Sequence, residues 1–571
     1  MIILGIHDGH NAAAALVKDG RVLAALQEER LRNEKNWSGF PALAIEELFN
    51  LTGLSIRDVD RVAYNGYHIH PPFTRDQDLQ GRRDNAGWYG RAMHLIRKTP
   101  IMGAYRGRRR EARLRAAMGL GLPKEKIHFT EHHTAHAAAA YYGWGRYERP
   151  VLVLTADGAG DELSATVSIG REGRLERLAA VGRDDSLGTV YSTITFLMGM
   201  VPLEHEYKLM GLAPYAEPKR AAQVADILFD YMPLPKGLTW ERKPGRPPAP
   251  LMYSYLRQKL ELHRFDSIAA GVQLYLEEML LAWVRAAIKS TGVHHLALSG
   301  GVFMNVKANK RILELPEVEG LFVFPSCGDE TNAVGAAYWQ EAEFGPTRQL
   351  PPVGDLYWGG DFDPAAARAA VEKLSAGQAW KIQYFPDDSI DLEIARLLAE
   401  GEIVARARGR MEFGARALGN RSILADPTLP KVVNTINYMV KNRDFWMPFA
   451  PMILEERAGD YLVNPKNIPA PHMILSFDSQ PARRDELTAA LHPYDQTARP
   501  QVLMAAHNPA MHRLLLRFQE LTGRGAVLNT SFNLHGYPIV GTPEAAIEVF
   551  MKSGLPHLAV GDCLLSKVGS I

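Results

Sequence analysis

One phrase occurs twice in this chain, and its recurrence limits the fold more than any other feature. "IILGIHDG" is an apolar strand ending in Asp-Gly, followed by "AAAALV", a "KDGR" turn and "VLAALQEER". Further along, "VLVLTADGAGDELSATVSIGREGRLERLAAV" repeats the order of strand, Asp-Gly, second strand, Gly-Arg turn and third strand. A duplicated strand-hairpin unit predicts two related lobes. At 571 residues the chain is also too long for one hydrophobic core, so a further domain is expected.

The duplication resembles the core of the actin/sugar-kinase/Hsp70-type (ASKHA-like) ATPases, which implies an α/β fold with a nucleotide cleft between its lobes. "HHLALSGGVFMNVKANKRI" reads as strand, glycine turn and helix, where backbone N–H groups can meet a phosphate. "FGPTRQLPPVGDLYWGGDF" is rich in Pro and Gly and marks a boundary near residue 355. Two domains follow, 1–354 and 355–571, the second a separate α/β unit.

A formal net charge of +1 gives no global pull towards nucleic acid or an anionic membrane. The two cysteines, Cys327 and Cys563, match no metal spacing and suit a reducing cytoplasm. The start "MIILGIHDGH" lacks a basic n-region, and no apolar run approaches the ~20 residues of a bilayer span. A cytoplasmic protein without membrane partners is expected. Residues 66–115 look irregular and contain "RGRRREARLR", which reads as a solvated helix face, with a lid over nucleotide or nucleic-acid binding behind it. The Pro-rich stretch 232–250 reads as a loop.

"EHHTAHAAAAYYG" places His132 and His136 four apart, on one face of a helix. Asp157 in "LTADGAGD" and Asp329 in "PSCGDETNAVGAA" both sit where an apolar strand ends in a small-residue turn. Two imidazoles and two carboxylates suit Fe(II), Zn or Mn. The alternative is that the histidines are polar helix-start residues and the aspartates turn formers.

Residues 409–451 carry Arg410, Arg416, Arg421, Lys441 and Arg443 amid glycine and apolar residues. Arg499 follows in "YDQTARPQ", and Asn529, Ser531 and Asn533 in "VLNTSFNLHGYPIVGTP". Guanidiniums in such a context gather a phosphate or carboxylate, unless Glu412 and Asp426 occupy them.

Eight passages together resemble the O-carbamoyltransferase family of nodulation-factor and antibiotic-modifying enzymes (NodU/CmcH type). They are "GHNAAAAL", "EERLRNEKNWSGFP", "HHTAHAAAAYY", "EYKLMGLAPY", "LSGGVFMNVKAN", "GDETNAVGAA", "GRMEFGARALGNRSILADP" and "NTSFNLHGYPIV", in the family's order across the chain. The resemblance implies an ASKHA-like N-terminal domain and a YrdC-like C-terminal one. It implies that carbamoyl phosphate is cleaved in the second domain and the carbamate adenylated with ATP. The carbamoyl-adenylate then carbamoylates a hydroxyl of a small-molecule acceptor at a metal-bearing site in the first. Fe(II) or another divalent ion would be held by His132, His136, Asp157 and Asp329, with Mg accompanying ATP. His10 would be the general base or would position the donor. Lys35 and Lys208 would neutralise nucleotide phosphates, with Gly300, Gly301 and Asn305 lining the adenosine. Arg416, Lys441, Arg443, Arg499 and Asn529 would hold carbamoyl phosphate. Ala13, Ala415 and Met447 depart from the family's usual serine, proline and arginine. A homodimer is the assembly considered. Two other readings stay open: threonylcarbamoyl-type transfer to tRNA, and a non-catalytic nucleotide-binding regulatory ATPase.

Overall fold

The alternation of short apolar strands and helices produces two compact units in the computed structural model, which describes every residue except 70–74, 86–87, 98, 387–388, 442 and 568–571. One unit comprises Met1–Glu28 and Trp37–Val353; the other comprises Glu29–Asn36 and Gly354–Ile571. Residues 29–36, expected within the first domain, therefore belong with the second. There Arg30 donates to the carbonyls of Glu412 and Gly414.

The first unit contains two five-stranded sheets. Strands β1 (Ile2–His7), β2 (Ala13–Lys18), β3 (Arg21–Gln27), β4 (Arg61–Asn65) and β5 (Ile127–Thr130) form one, in the order β3-β2-β1-β4-β5. Strands β6 (Val151–Gly160), β7 (Leu163–Arg171), β8 (Arg174–Gly182), β9 (His295–Ser299) and β10 (Gly320–Val323) form the other, in the order β10-β9-β6-β7-β8. In each, the first strand pairs antiparallel with its hairpin partner and parallel with the fourth. The two sheets repeat one topology, which is the two-lobed α/β core that the duplicated phrase predicts.

The helices are exchanged between the sheets. His132–Trp144 follows β5 yet packs on β6 and β9, whereas Asn332–Phe344 follows β10 yet packs on β1, β2 and β4. The two helices also pack closely against one another, and this close approach explains the alanine run. Ala135 and Ala137–Ala140 are buried, and a Cβ on Gly335 would overlap the Ala135 carbonyl oxygen. Only very small side chains let two backbones come this close.

The described residues of 66–115 are not irregular. They include helices Arg75–Asn85, Trp88–Ile96 and Pro100–Met118. In the basic run Arg113 is an exception to the solvated face, at 6% exposure. Its Nε binds Asp8 Oδ2 at 2.9 Å and its other nitrogens reach the carbonyls of Gly66 and Asn65, each at 2.6 Å. The Pro-rich loop is pinned by Trp240, whose indole donates to Asp185 O at 2.8 Å and packs edge-on against Trp283. Among the described residues no helix is long and apolar enough to cross a membrane.

The second unit is built on an eight-stranded mixed sheet. Its strands are β11 (Trp380–Tyr384), β12 (Val404–Ala407), β13 (Arg421–Ala425), β14 (Ala450–Leu454), β18 (Gln501–Leu503), β19 (Ala526–Ser531), β20 (His557–Val560) and β21 (Cys563–Lys567). They lie in the order β11-β21-β20-β12-β13-β19-β14-β18, and β15 (Leu462–Val463), β16 (Phe477–Ser479) and β17 (Thr497–Ala498) make a small sheet. Alternate residues feed two cores: Ala405, Ile423 and Leu528 face one, Val404, Leu424 and Val527 the other. A sheet covered on both faces needs such continuous apolar strands.

Candidate functional site

The helix His132–Trp144 begins at Glu131, whose carboxylate accepts from the N–H groups of His133 (3.0 Å) and Thr134 (2.8 Å). This cap fixes the first turn, so His132 and His136 share one face. Asp157 reaches them from the end of β6 and Asp329 from the turn after β10. His132 Nε2 lies 3.2 Å and His136 Nε2 3.1 Å from Asp157 Oδ2. Asp329 Oδ1 lies 3.5 and 3.4 Å from the same nitrogens. The four donor atoms all fall within 4.8 Å of one another.

These separations fit a cation. Four donors at roughly 2.1 Å from a common centre in a tetrahedron lie about 3.4 Å apart. Asp329 Oδ1 is buried and faces the two imidazole nitrogens, and among the described residues no other group donates to it. The charge balance agrees. Burial alone would push His132 down, but Asp329 and Asp157 outweigh it and hold it up at about 10. His136 is raised as well, burial being opposed by hydrogen bonds to both carboxylates. Asp157 is held well below its ordinary value, burial being outweighed by the two histidines. Protons here do the work that a divalent ion would take over.

The surroundings orient the donors. His136 Nδ1 meets Ser299 Oγ at 3.1 Å, which turns Nε2 towards the carboxylates. Asn332 Nδ2 approaches that Nε2 at 3.0 Å. His133 points elsewhere, its Nδ1 on Thr155 Oγ1 at 2.8 Å, and burial lowers it to about 3. The Gly300–Gly301 turn abuts this centre. Gly300 has φ 105°, and a Cβ on Gly301 would come within 2.9 Å of Asp157 Oδ1. Only glycine permits both the backbone angle and the approach.

The remaining candidates of the first unit lie as follows. Asn305 caps the helix Val306–Glu314, its Oδ1 accepting from Ala308 N, and exchanges hydrogen bonds with Gln273. Lys208 lies on the helix Glu206–Leu212, which packs on Phe265–Thr291, the helix that carries Gln273. His10 forms an isolated bridge to Ser38, and its carbonyl receives His7 Nε2 at 2.9 Å. His7 is a residue that motif reading missed. Its Nδ1 accepts from Asn65 Nδ2 at 2.8 Å, its Nε2 lies 4.0 Å from Asp329 Oδ2, and burial lowers it to about 4. The signal lay in the repeat, because His7 precedes Asp8-Gly9 where Ala156 precedes Asp157-Gly158. Asp8 is the counterpart of Asp157, but it is satisfied by Arg113 and by Tyr64 Oη at 3.0 Å.

In the second unit Lys441 sits at the end of β19, with Arg443 and Lys35 near enough to act on it. Asn529 and Ser531 are two apart and so share a face. Asn529 Nδ2 donates to Ala417 O at 3.1 Å and to Gln501 Oε1 at 2.9 Å, while its buried Oδ1 has no partner. Arg416 precedes Ala417 in the loop, and Arg499 lies two residues before Gln501. Lys441 Nζ binds Ser531 Oγ at 3.1 Å and Asn533 Oδ1 at 2.6 Å. Burial, then Arg443 and Lys35, lower Lys441 well below its ordinary value, so a bound anion would relieve it. Asp426 pairs with Arg524 at 2.8 Å, and Glu412 Oε1 accepts from the backbone of Leu418, Asn420 and Arg421. Arg421 is structural, donating to Gly409 O at 2.8 Å and covering Phe362. Met447, where the family pattern has arginine, is buried, as is Ala13; Ala415 is exposed.

Residues 108–338 match the family pattern described as Carbamoyltransferase N-terminus, and residues 395–567 that of Carbamoyltransferase C-terminus. The uncharacterized protein sll1178 of Synechocystis is 31% identical over 98% of this chain and 95% of its own. Nodulation protein NolNO of Sinorhizobium fredii is 31% identical over 98% of this chain and 79% of its own. Among solved structures, component A of the (R)-2-hydroxyglutaryl-CoA dehydratase of Acidaminococcus fermentans is 14% identical, with TM-score 0.33, over 59% of this chain and 97% of that one.

Proposed function

The chain belongs to the carbamoyltransferase family, and from that premise we propose that it is an ATP-dependent O-carbamoyltransferase acting on a hydroxyl of a small molecule. The observation that carries the reading is the convergence of His132, His136, Asp157 and Asp329, with the buried Asp329 Oδ1 facing both imidazoles, beside a glycine turn suited to phosphate. The donor is carbamoyl phosphate. Arg416, Lys441, Arg443, Arg499 and Asn529 hold it, and Lys35 joins their charge at Lys441. Hydrolysis releases carbamate and phosphate; the carbamate attacks the α-phosphate of ATP, giving carbamoyl-adenylate and pyrophosphate. Adenylation matters because nitrogen donates into the carbamate carbonyl and leaves it a poor electrophile.

Transfer belongs to the first unit. A divalent ion there, Fe(II) or another, supplies Lewis-acid polarisation of the carbamoyl carbonyl or its attached phosphate. The acceptor oxygen attacks the carbamoyl carbon, the C–O bond to phosphate breaks, and AMP leaves. His10 takes the hydroxyl proton or positions the donor. Gly300, Gly301, Asn305 and Lys208 hold the nucleotide. Two features weigh against transfer to tRNA: the net charge of +1 and the engagement of the basic run through Arg113 and Arg106.

The decisive experiment separates the two halves of the reaction. His136→Ala abolishes transfer and leaves carbamoyl-phosphate cleavage intact. Arg416→Ala abolishes cleavage but retains transfer from supplied carbamoyl-adenylate. Identical behaviour of the two variants, or formation of ADP without AMP, refutes the scheme.

A further inference from the structure

The turn between β6 and β7 carries two consecutive residues in the left-handed region, Asp161 at φ 48° and Glu162 at φ 70°. Their carboxylates do different things. Glu162 takes cations, Arg97 Nη2 at 2.8 Å and Arg106. The hydrogen bonds to Asp161 come from three backbone N–H groups instead. Oδ2 accepts from His132 and from Tyr67, each at 2.9 Å, and Oδ1 accepts from His68 at 2.7 Å. One oxygen thus joins the head of the His132–Trp144 helix to the segment Gly66–Ile69.

That segment is held on its other side as well. Gly66 N donates to Thr130 O at 2.7 Å and Gly66 O accepts from Arg113 at 2.6 Å. Ile69 lies over Gly9, where an added Cβ would meet its Cγ2 at 3.3 Å and the His7 ring at 2.8 Å. His7 in turn is 4.0 Å from Asp329. The four residues therefore form a strap between the His132 side and the Asp329 side of the four-ligand centre. His132 is fixed at two points, its backbone by Asp161 and its ring among the ligands.

We propose that Asp161 is a positioning residue that couples this strap to His132, so that cation binding at the four-ligand centre orders Gly66–Ile69. The inference rests on the metal centre proposed above. Any ligand that drew His132 into a fixed position would hold its N–H, and with it the shared oxygen, in place for Tyr67. The strap is then a wall of the centre whose order depends on the cation, and ordering of the strap and cation affinity are reciprocally linked.

The test uses the full chain, stripped with chelator and then given Mn(II) or Co(II). Hydrogen exchange is followed in the peptide spanning Tyr67 and His68, and cation affinity by calorimetry. In the unmodified protein the cation slows exchange at these two amides by about tenfold or more. In Asp161→Gly that protection is lost and affinity falls about tenfold, the lower end for ligand-supporting groups. Glycine tolerates the left-handed backbone, so the change removes both acceptor oxygens without adding strain. Glu162→Gln keeps both affinity and protection. A cation that binds the unmodified protein without slowing Tyr67 and His68 overturns the coupling and leaves the metal centre standing; so does an Asp161→Gly chain that keeps both readouts. No cation binding by the unmodified protein overturns the centre, and the coupling with it.

Discussion

Arg113→Met should release the basic helix while leaving the rest of the first unit folded. That helix, Pro100–Met118, buries only Arg113 and Ala117. Its contact through Arg106 and Glu162 is exposed, and exposed ion pairs hold little. Arg113 instead forks onto Asp8, caps two carbonyls and covers the Tyr64 ring. Its removal leaves the Asp8 carboxylate, 8% exposed, with Tyr64 Oη as its remaining partner in this cluster, and strips both carbonyls of this donor. Breaking a buried ion pair from one side costs about 3–5 kcal/mol. At roughly 1.4 kcal/mol per factor of ten, the lower end corresponds to about a 150-fold rise in local opening. Hydrogen exchange of amides 100–118 reads that opening directly. Adding Asp8→Asn should recover part of the loss, because the uncompensated charge is gone, and the double-mutant cycle reports the coupling. Exchange rates within threefold of the unmodified protein would refute the anchoring role of Arg113.

Ser299→Ala frees His136 Nδ1 and should weaken cation binding by about 10- to 100-fold, read by calorimetry, with the fold retained. Gly335→Ala forces a methyl group into the Ala135 carbonyl and should destabilise the first unit by about 1–3 kcal/mol in urea unfolding. In the second unit, burial and then His507 lower His472 to about 3. A base depressed from its ordinary 6.5 must shed its proton on folding, so between pH 6.5 and 3 the unfolded chain binds more protons and stability is lost as the pH is lowered. The slope approaches about 1.4 kcal/mol per pH unit for that one site, and His472→Phe should remove it from the unfolding curve.

The centre was legible because its parts obey short-range rules: His132 and His136 are one turn apart, and Asp157 and Asp329 both terminate strands. The duplicated Asp-Gly phrase likewise marks two sheets of one topology. What escaped was set by long-range packing. Arg113 looks like its solvated neighbours, and nothing within ten residues distinguishes it; its partner Asp8 is 105 positions away. Asp161 accepts from residues 93, 94 and 29 positions distant, a pattern without period. Glu29–Asn36 is polar and reads as part of the domain 1–354, because a segment's allegiance to another unit leaves no mark on its composition. Residues 70–74, 86–87 and 98, within the stretch read as irregular, lie outside the described residues.

The exchange of helices between the two sheets has a consequence for biosynthesis. By the time β5 has left the ribosome, the first sheet is complete in strands, but the helix that covers β1, β2 and β4 is more than 200 residues away, at Asn332–Phe344. At about 5–20 residues per second its apolar face stays bare for roughly 10–40 s. During that interval the nascent chain is an aggregation hazard that a holding chaperone would suppress, and a ribosome stalled before residue 332 would yield a product unable to close its own core.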